Sequence, residues 1–290
     1  MWLLIPALVL TALMAWSIGG NDAANSVDSA VGSGALSIRK ALVLFAVAQF
    51  TGAVVQGYMV MKTLGKGVVA DISLEEAVVA SIAAFIWITL ATYLKMPIST
   101  THTATSAVIG IGLLRILQKA QVGLNISVVL NIILSWITSP LASMALAAAL
   151  YPLFKFTVGK ASSSSKGEAM IKAYLIAMLL FSAYSFGAND AANATGVYVT
   201  ITSRYLGIPD EHTMRLLSMY AALFIAVGGL TVGKRVVETL AFKITRLDLP
   251  TAMASETANA LVVFLFTTVP YLVFGYGLPI STTYATAGSI

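Results

Sequence analysis

The chain has 290 residues, 58% of them hydrophobic and only 10% charged, with a mean hydropathy of +0.89. That balance excludes a soluble globular protein and identifies an integral membrane protein. The formal charge of +5 comes from Lys and Arg at the ends of apolar runs without interleaved aromatics. This is the pattern of topology-setting juxtamembrane charge, and it excludes a nucleic-acid partner. With no cysteine and only His102 and His212, disulfides, thiolate metal sites and histidine-rich metal sites are excluded too.

The apolar runs have the length a helix needs to cross about 30 Å of hydrocarbon, whereas barrel strands would be about ten residues of alternating polarity. The expected fold is therefore all-α and polytopic. A first span from Met1 to Ile18 lacks the basic start and small-residue cleavage site of a signal peptide and is read as retained. It ends in Gly19-Gly20-Asn21-Asp22-Ala23-Ala24-Asn25, followed by a polar, small-residue stretch to Ser37 where lipid-facing helix is least expected. A second span, Ala41 to Met61, carries Gly52-x4-Gly57, a spacing that permits close helix approach. Asp71, Glu75 and Glu76 mark an aqueous turn before a third span, Ala77 to Leu94.

Pro97-Ile98-Ser99-Thr100-Thr101-His102 then precedes the short apolar segment Ala104 to Leu117. Proline suits a helix start and Ser or Thr beside it supplies the cap, so this reads as the tip of a re-entrant hairpin or a discontinuous helix. The apolar stretch Leu124 to Phe156, interrupted at Ser139-Pro140, makes one kinked or two tightly connected spans. Residues 159–168, rich in Ser and Lys, form a linker that the positive-inside rule puts in the cytoplasm.

The second half repeats these landmarks in order: Gly187-Ala188-Asn189-Asp190-Ala191-Ala192-Asn193, then Gly228-x4-Gly233, then Pro279-Ile280-Ser281-Thr282-Thr283-Tyr284. Residues 1–158 and 169–290 are thus expected to be an internal repeat. Fifty and more residues follow the first Pro-Ile-Ser-Thr-Thr but few follow the second, so a further C-terminal part is expected in the native protein.

An ionisable residue inside a membrane is costly, and two aspartates at matched positions, Asp22 and Asp190, read as functional where one alone would read as surface. Asp28 has Gly196 in its matched place and is read as a surface residue. On a helix Asn21, Asp22 and Asn25 share a face, offering hard oxygen donors that suit sodium over zinc or copper. The Ser-Thr-Thr tips offer the complement: free N–H groups and hydroxyls at a helix N-terminus, which suit an oxyanion. His102 is matched by Tyr284, so imidazole chemistry is not shared, and a packed histidine is expected. Glu256 is a further intramembrane candidate, with a weaker case because Glu75 and Glu76 precede their span. No Lys or Arg falls in these motifs, so an oxyanion held there needs cations to offset repulsion, which is itself a coupling mechanism.

These paired motifs resemble the duplicated signatures of the inorganic phosphate transporter family, the type III sodium/phosphate cotransporters, over almost the whole chain. The resemblance implies cation-coupled phosphate uptake by a dimeric membrane protein with inverted-topology repeats and an extracytoplasmic N-terminus. It implicates Asn21, Asp22, Asn25, Ser99, Thr100, Thr101, Asn189, Asp190, Asn193, Ser281, Thr282 and Thr283, and Tyr284 departs from a family His. The resulting expectation is a non-enzymatic symporter of the cell membrane, the inner membrane if prokaryotic, working by alternating access. Phosphate is held by Asn25, Ser99, Thr100, Thr101, Asn193, Ser281, Thr282 and Thr283, and sodium by Asn21, Asp22, Asn189 and Asp190. Sodium serves as coupling ion, and no cofactor is expected. The alternatives are coupling to protons or to a metal-phosphate complex, an uncoupled anion channel or receptor, and an intramembrane hydrolase built on Ser99 or Thr100, His102 and Asp22.

Overall fold

The structure is a computed structural model that describes residues 4–64, 68–69, 72–118, 125–206, 210–244, 247–275 and 277–290. Met1 and Asp71, read above as the start of a span and part of a turn, lie outside the described residues. The chain is helical almost throughout: α1 (Leu4–Asp22), α2 (Ala24–Gly32), α3 (Ile38–Leu64), α4 (Leu74–Tyr93), α5 (Thr100–Leu117) and α6 (Ile126–Ala161). There follow α7 (Ser165–Leu206), α8 (Glu211–Val232), α9 (Lys234–Thr239), a π-helical turn (Leu240–Ile244), α10 (Leu249–Phe274) and α11 (Thr282–Ser289). Among the described residues, six helices are long and apolar enough to cross a membrane. The molecule is thus a multi-pass membrane protein.

Helix boundaries follow local chemistry. Ser73 and Glu76 form a capping box that opens α4, and Asp248 caps α10 ahead of Pro250. Leu124 lies outside the described residues, and the rest of that apolar stretch, from Ile126 to Phe156, belongs to one long helix, α6, which carries Pro140 and Pro152 inside it. Of the Ser- and Lys-rich linker, only residues 162–164 are turn, because α6 and α7 extend into either side. The polar break after the first span is a single residue: Ala23 separates α1 from α2 with helical dihedrals of −53° and −30°. At the matched position the backbone does not break at all, and Asn189 to Asn193 sit inside continuous α7.

Two hairpins carry the Pro-Ile-Ser-Thr-Thr segments. α4 ends in a left-handed residue, Lys95 at φ 62°, with Lys95 N–H on Thr92 O and Met96 N–H on Ala91 O. This is a Schellman ending, normally built on glycine. Pro97 prevents the helix from resuming at once, and extended Ser99 then caps α5. Arg115 near the end of α5 pairs with Glu76 at the start of α4 and closes the far end of this hairpin. α10 likewise ends at left-handed Gly275, φ 77°, before extended Ser281 caps α11.

Lipid tails are as apolar as leucine, so close packing rather than water exclusion must hold such helices together. Two crossings show how. At Gly19 of α1 an added Cβ would collide with the Ile225 backbone of α8, and at Gly228 of α8 it would collide with the Trp16 backbone. The crossing of α3 and α7 repeats this, Gly52 lying against Tyr184 and Gly187 against Gln49. Each motif helix therefore packs, glycine to backbone, on the helix carrying the other half's Gly-x4-Gly. Phe45 and Phe186, fully buried with ring centroids 5.2 Å apart, fill the centre between these crossings. Apolar side chains such as Trp87 and Leu117 stay exposed, as lipid contact requires.

Gly52→Ala is expected to destabilise the protein by about 1–3 kcal/mol, the usual cost of overpacking. Gly110→Ala, at a helical glycine with open space around it, is expected to be about neutral. Thermal unfolding of both variants in detergent checks this.

Candidate functional site

The two hairpin tips meet the two Asn-Asp motifs at the centre of the bundle, and the twelve side chains named from the sequence converge there. Each is at most 7% exposed. The first asparagine of each motif holds a tip in place. Asn21 Oδ1 accepts from Ile98 N–H at 3.0 Å, while its Nδ2 donates to Met96 O and Thr92 Oγ1, both at 3.0 Å. Asn189 Oδ1 accepts from Ile280 N–H at 3.2 Å and its Nδ2 donates to Ile280 O at 3.0 Å. An asparagine suits this task, since its amide satisfies a donor and an acceptor of the extended backbone together.

The serines are caps. Ser99 Oγ accepts from His102 N–H and Ser281 Oγ from Tyr284 N–H, each at 3.1 Å. The threonines reach the carboxylates. Thr100 donates to Asp22 Oδ2 at 2.5 Å, and Thr282 stands beside Asp190. The next threonine of each tip crosses to the other motif. Thr283 lies 3.3 Å from Asp22 Oδ1 and donates to Ile98 O at 2.9 Å; Thr101 lies 3.5 Å from Asp190 Oδ1 and donates to Ile280 O at 3.0 Å. Asn25 Nδ2 donates to Thr283 Oγ1 and Asn193 Nδ2 to Thr101 Oγ1, both at 2.9 Å. Asn193 Nδ2 also reaches Asp190 Oδ1 at 2.6 Å, whereas Asn25 Oδ1 is buried without a donor.

The chemistry of this knot is one-sided. Two fully buried aspartates, close enough to repel one another, are surrounded by hydroxyls and amides. No Lys or Arg among the described residues is buried. Hydroxyls and amide N–H groups can turn toward an oxyanion, and carboxylates, hydroxyl oxygens and the Asn25 carbonyl are ligands for a hard cation.

The positions after the tips pack on each other. His102 stacks on Trp136 with centroids 3.7 Å apart and lies 4.4 Å from the ring of Tyr284. His102 Nδ1 contacts Ser99 Oγ, but the Asp22 carboxylate is bonded to Thr100 and Thr283 and not to the imidazole, as a triad would need. The sequence reading of a packed histidine describes this arrangement.

Two residues were misjudged from sequence. Asp28, read as a surface residue, is fully buried on α2, because the helix resumes after Ala23 and carries it inward. Asn259 on α10 was not singled out, yet its Nδ2 donates to the backbone carbonyl of Asn25 at 2.9 Å, a group that also accepts from Thr286 Oγ1 at 3.1 Å. Its signal was its place one turn after Glu256 in an apolar span, the same argument that flagged the glutamate.

The model of the phosphate transporter family matches residues 18–176 and again 158–290. A Pyrococcus abyssi protein provisionally named a phosphate permease is 28% identical, with 100% of this chain and 87% of that one aligned. The sulfate permease CysP of Bacillus subtilis is 30% identical over 99% of this chain and 75% of that one. The solved structure of a sodium-dependent phosphate transporter superposes with a TM-score of 0.83 at 26% identity, covering 100% of this chain and 88% of that chain.

Thr101→Val strips Asn193 of an acceptor and Ile280 O of a donor, and is expected to cost about 1–3 kcal/mol. Thr103→Val, whose hydroxyl serves only Ser99 O of its own helix turn, is expected to cost less. Thermal melts of the two variants side by side decide this.

Proposed function

Since the chain belongs to the phosphate transporter family and is a transporter rather than an enzyme, we propose that it carries inorganic phosphate across the membrane in symport with sodium, by alternating access. The observation that carries this reading is the pair of buried aspartates bridged by threonines from both tips with no buried Lys or Arg among the described residues. An anion entering such a site meets two negative charges in a low dielectric, where repulsion is strongest. A cation must enter with it, and that requirement is the coupling. Hard oxygen donors favour sodium over softer metals. The likeness to a sodium-dependent phosphate transporter supports the same ion.

In this reading Asp22 and Asp190 hold sodium, and Asn25, Asn193 and the threonines Thr100, Thr101, Thr282 and Thr283 turn their donors to phosphate. Asn21 and Asn189 are spent on the extended segments before the tips, and Ser99 and Ser281 on capping, so these four position the site. Phosphate keeps a proton at neutral pH and sulfate keeps none. A carboxylate acceptor therefore selects phosphate, even though a sulfate permease is among the relatives. Residues 1–158 and 169–290 are two repeats of opposed orientation, an arrangement that fits each tip lending one threonine to the other half's aspartate. The protein works in the cell membrane as a dimer.

Radiolabelled phosphate uptake into proteoliposomes tests the proposal under an imposed sodium gradient, a proton gradient, or neither. The sodium gradient is expected to drive uptake, and Asp22→Asn to reduce sodium-stimulated uptake at least about tenfold, the scale of a 1–3 kcal/mol coupling. Unchanged uptake with unchanged sodium dependence overturns the assignment, and uptake driven by the proton gradient alone replaces sodium as the coupling ion.

A further inference from the structure

Where α4 and α8 begin, the cations have partners: Arg115 pairs with Glu76 and Arg215 with Glu211. Where the same two helices end, the situation is reversed. The membrane-length helices Leu74–Tyr93 and Glu211–Val232 finish side by side, since a Cβ added at Gly20 of α1 would meet both Thr92 and Val232. Immediately beyond them stand Lys95, Lys234 and Arg235, all exposed. Arg235 lays its guanidinium over the ring of Tyr93, 4.8 Å from the centroid, and Lys234 meets Glu238 at a long 3.6 Å. Among the described residues neither Lys95 nor Arg235 has a carboxylate partner.

The surroundings of these cations say what they suit. Lys95 holds its left-handed backbone at a position that glycine fills without strain, and among the described residues it is the one non-glycine residue with positive φ. A cation kept in a strained turn points to a use for its charge. Residues just past two membrane-length helices lie at the membrane interface, the level of lipid phosphates. The rim is apolar: Tyr93, Leu94 and Met96, which flank Lys95, are 48%, 61% and 54% exposed. A site for a free anion encloses it in donors. Cations above an exposed apolar skirt match instead an anionic headgroup with acyl chains beneath it.

We propose that Lys95, Lys234 and Arg235, gathered around Tyr93, bind the headgroup of an anionic phospholipid of the surrounding membrane. Stacking on Tyr93 occupies the face of the Arg235 guanidinium and leaves its edge donors for a phosphate, with Lys95 as the second charge. Leu94 and Met96 receive the upper part of the chains. A lipid held there clips the end of α4 to α9. Asn21 binds Met96 O and Ile98 N–H in the residues that follow, so the clip also steadies hairpin 1 where Thr100 reaches Asp22. This site goes beyond the transport reaction, since it takes its lipid whichever ion or anion is carried.

The test is thermal melting of the purified full chain in neutral detergent, titrated with phosphatidylglycerol, phosphatidylcholine or inorganic phosphate. Phosphatidylglycerol is expected to raise the melting temperature and phosphatidylcholine to leave it in place. Lys95→Gly removes one charge and suits the left-handed turn, so it keeps the fold; Arg235→Gln removes the other. Each is expected to raise the phosphatidylglycerol concentration for half-maximal effect about fivefold, the worth of one basic residue at an anionic surface. Lys172→Gln, at an exposed cation near the start of α7, is expected to leave it unchanged. Equal stabilisation by both lipids overturns the site, and so does an equal loss in Lys172→Gln, which makes the effect one of diffuse charge. Inorganic phosphate whose own titration shifts with Lys95→Gly and Arg235→Gln overturns lipid as the ligand. No ion gradient enters these melts, so a failure of sodium-driven uptake leaves their outcome unaffected.

Discussion

Four carboxylates, those of Asp22, Asp28, Asp190 and Glu256, are sealed inside a helix bundle in which no described Lys or Arg is buried. Much else in the structure answers that imbalance. A carboxylate out of water needs donors at once, and at the centre of the molecule they come from threonine hydroxyls and asparagine amides. These groups soften the charge without cancelling it. The protein therefore remains a poor host for an anion by itself and a good one for an anion accompanied by cations.

Donors can be brought to these carboxylates only if the chain delivers two helix tips to the middle of the helix bundle, since in a membrane protein irregular backbone is tolerated only inside protein. Several devices accomplish this. A Schellman turn at Lys95 and a left-handed glycine at Gly275 stop the descending helices, proline delays the restart, and Asn21 and Asn189 satisfy the exposed backbone between. The tips then exchange threonines, so that Asp22 is bonded from both hairpins and Asp190 is reached by Thr101 of the first with Thr282 of the second beside it. This mutual bracing makes the site a property of the whole bundle, and a shift of one hairpin changes the donors seen by both carboxylates.

The glycine crossings set the scale of that bundle. Gly19 against Ile225 and Gly228 against Trp16 bring α1 and α8 into backbone contact, and Gly52 with Gly187 does the same for α3 and α7. The motif glycines therefore have a packing role beside any role at the site. Gly-x4-Gly, a weak pattern in isolation, turned out to mark the surface on which the other half's motif helix lies. The spans could be read from hydropathy because the length of a membrane helix is set by the bilayer. Which helix met which could not, because apolar faces carry little information about their partner where lipid and protein are equally oily.

By itself, the amino-acid sequence determined that this is a polytopic helical membrane protein with two matched sets of acidic-amide and hydroxyl motifs. Composition, run length and repetition are properties of the chain alone. Family membership followed from the same residues. The tertiary structure decided how those residues divide their labour: Asn21 and Asn189 as clamps, Ser99 and Ser281 as caps, the threonines as bridges between halves. The clamping and bridging partners lie 71 to 261 residues apart and leave no local trace. It also moved Asp28 from the surface to the interior beside Glu256. Burial there depends on a one-residue interruption at Ala23 that redirects nothing, a detail of backbone dihedrals that the polar composition of the stretch had pointed away from.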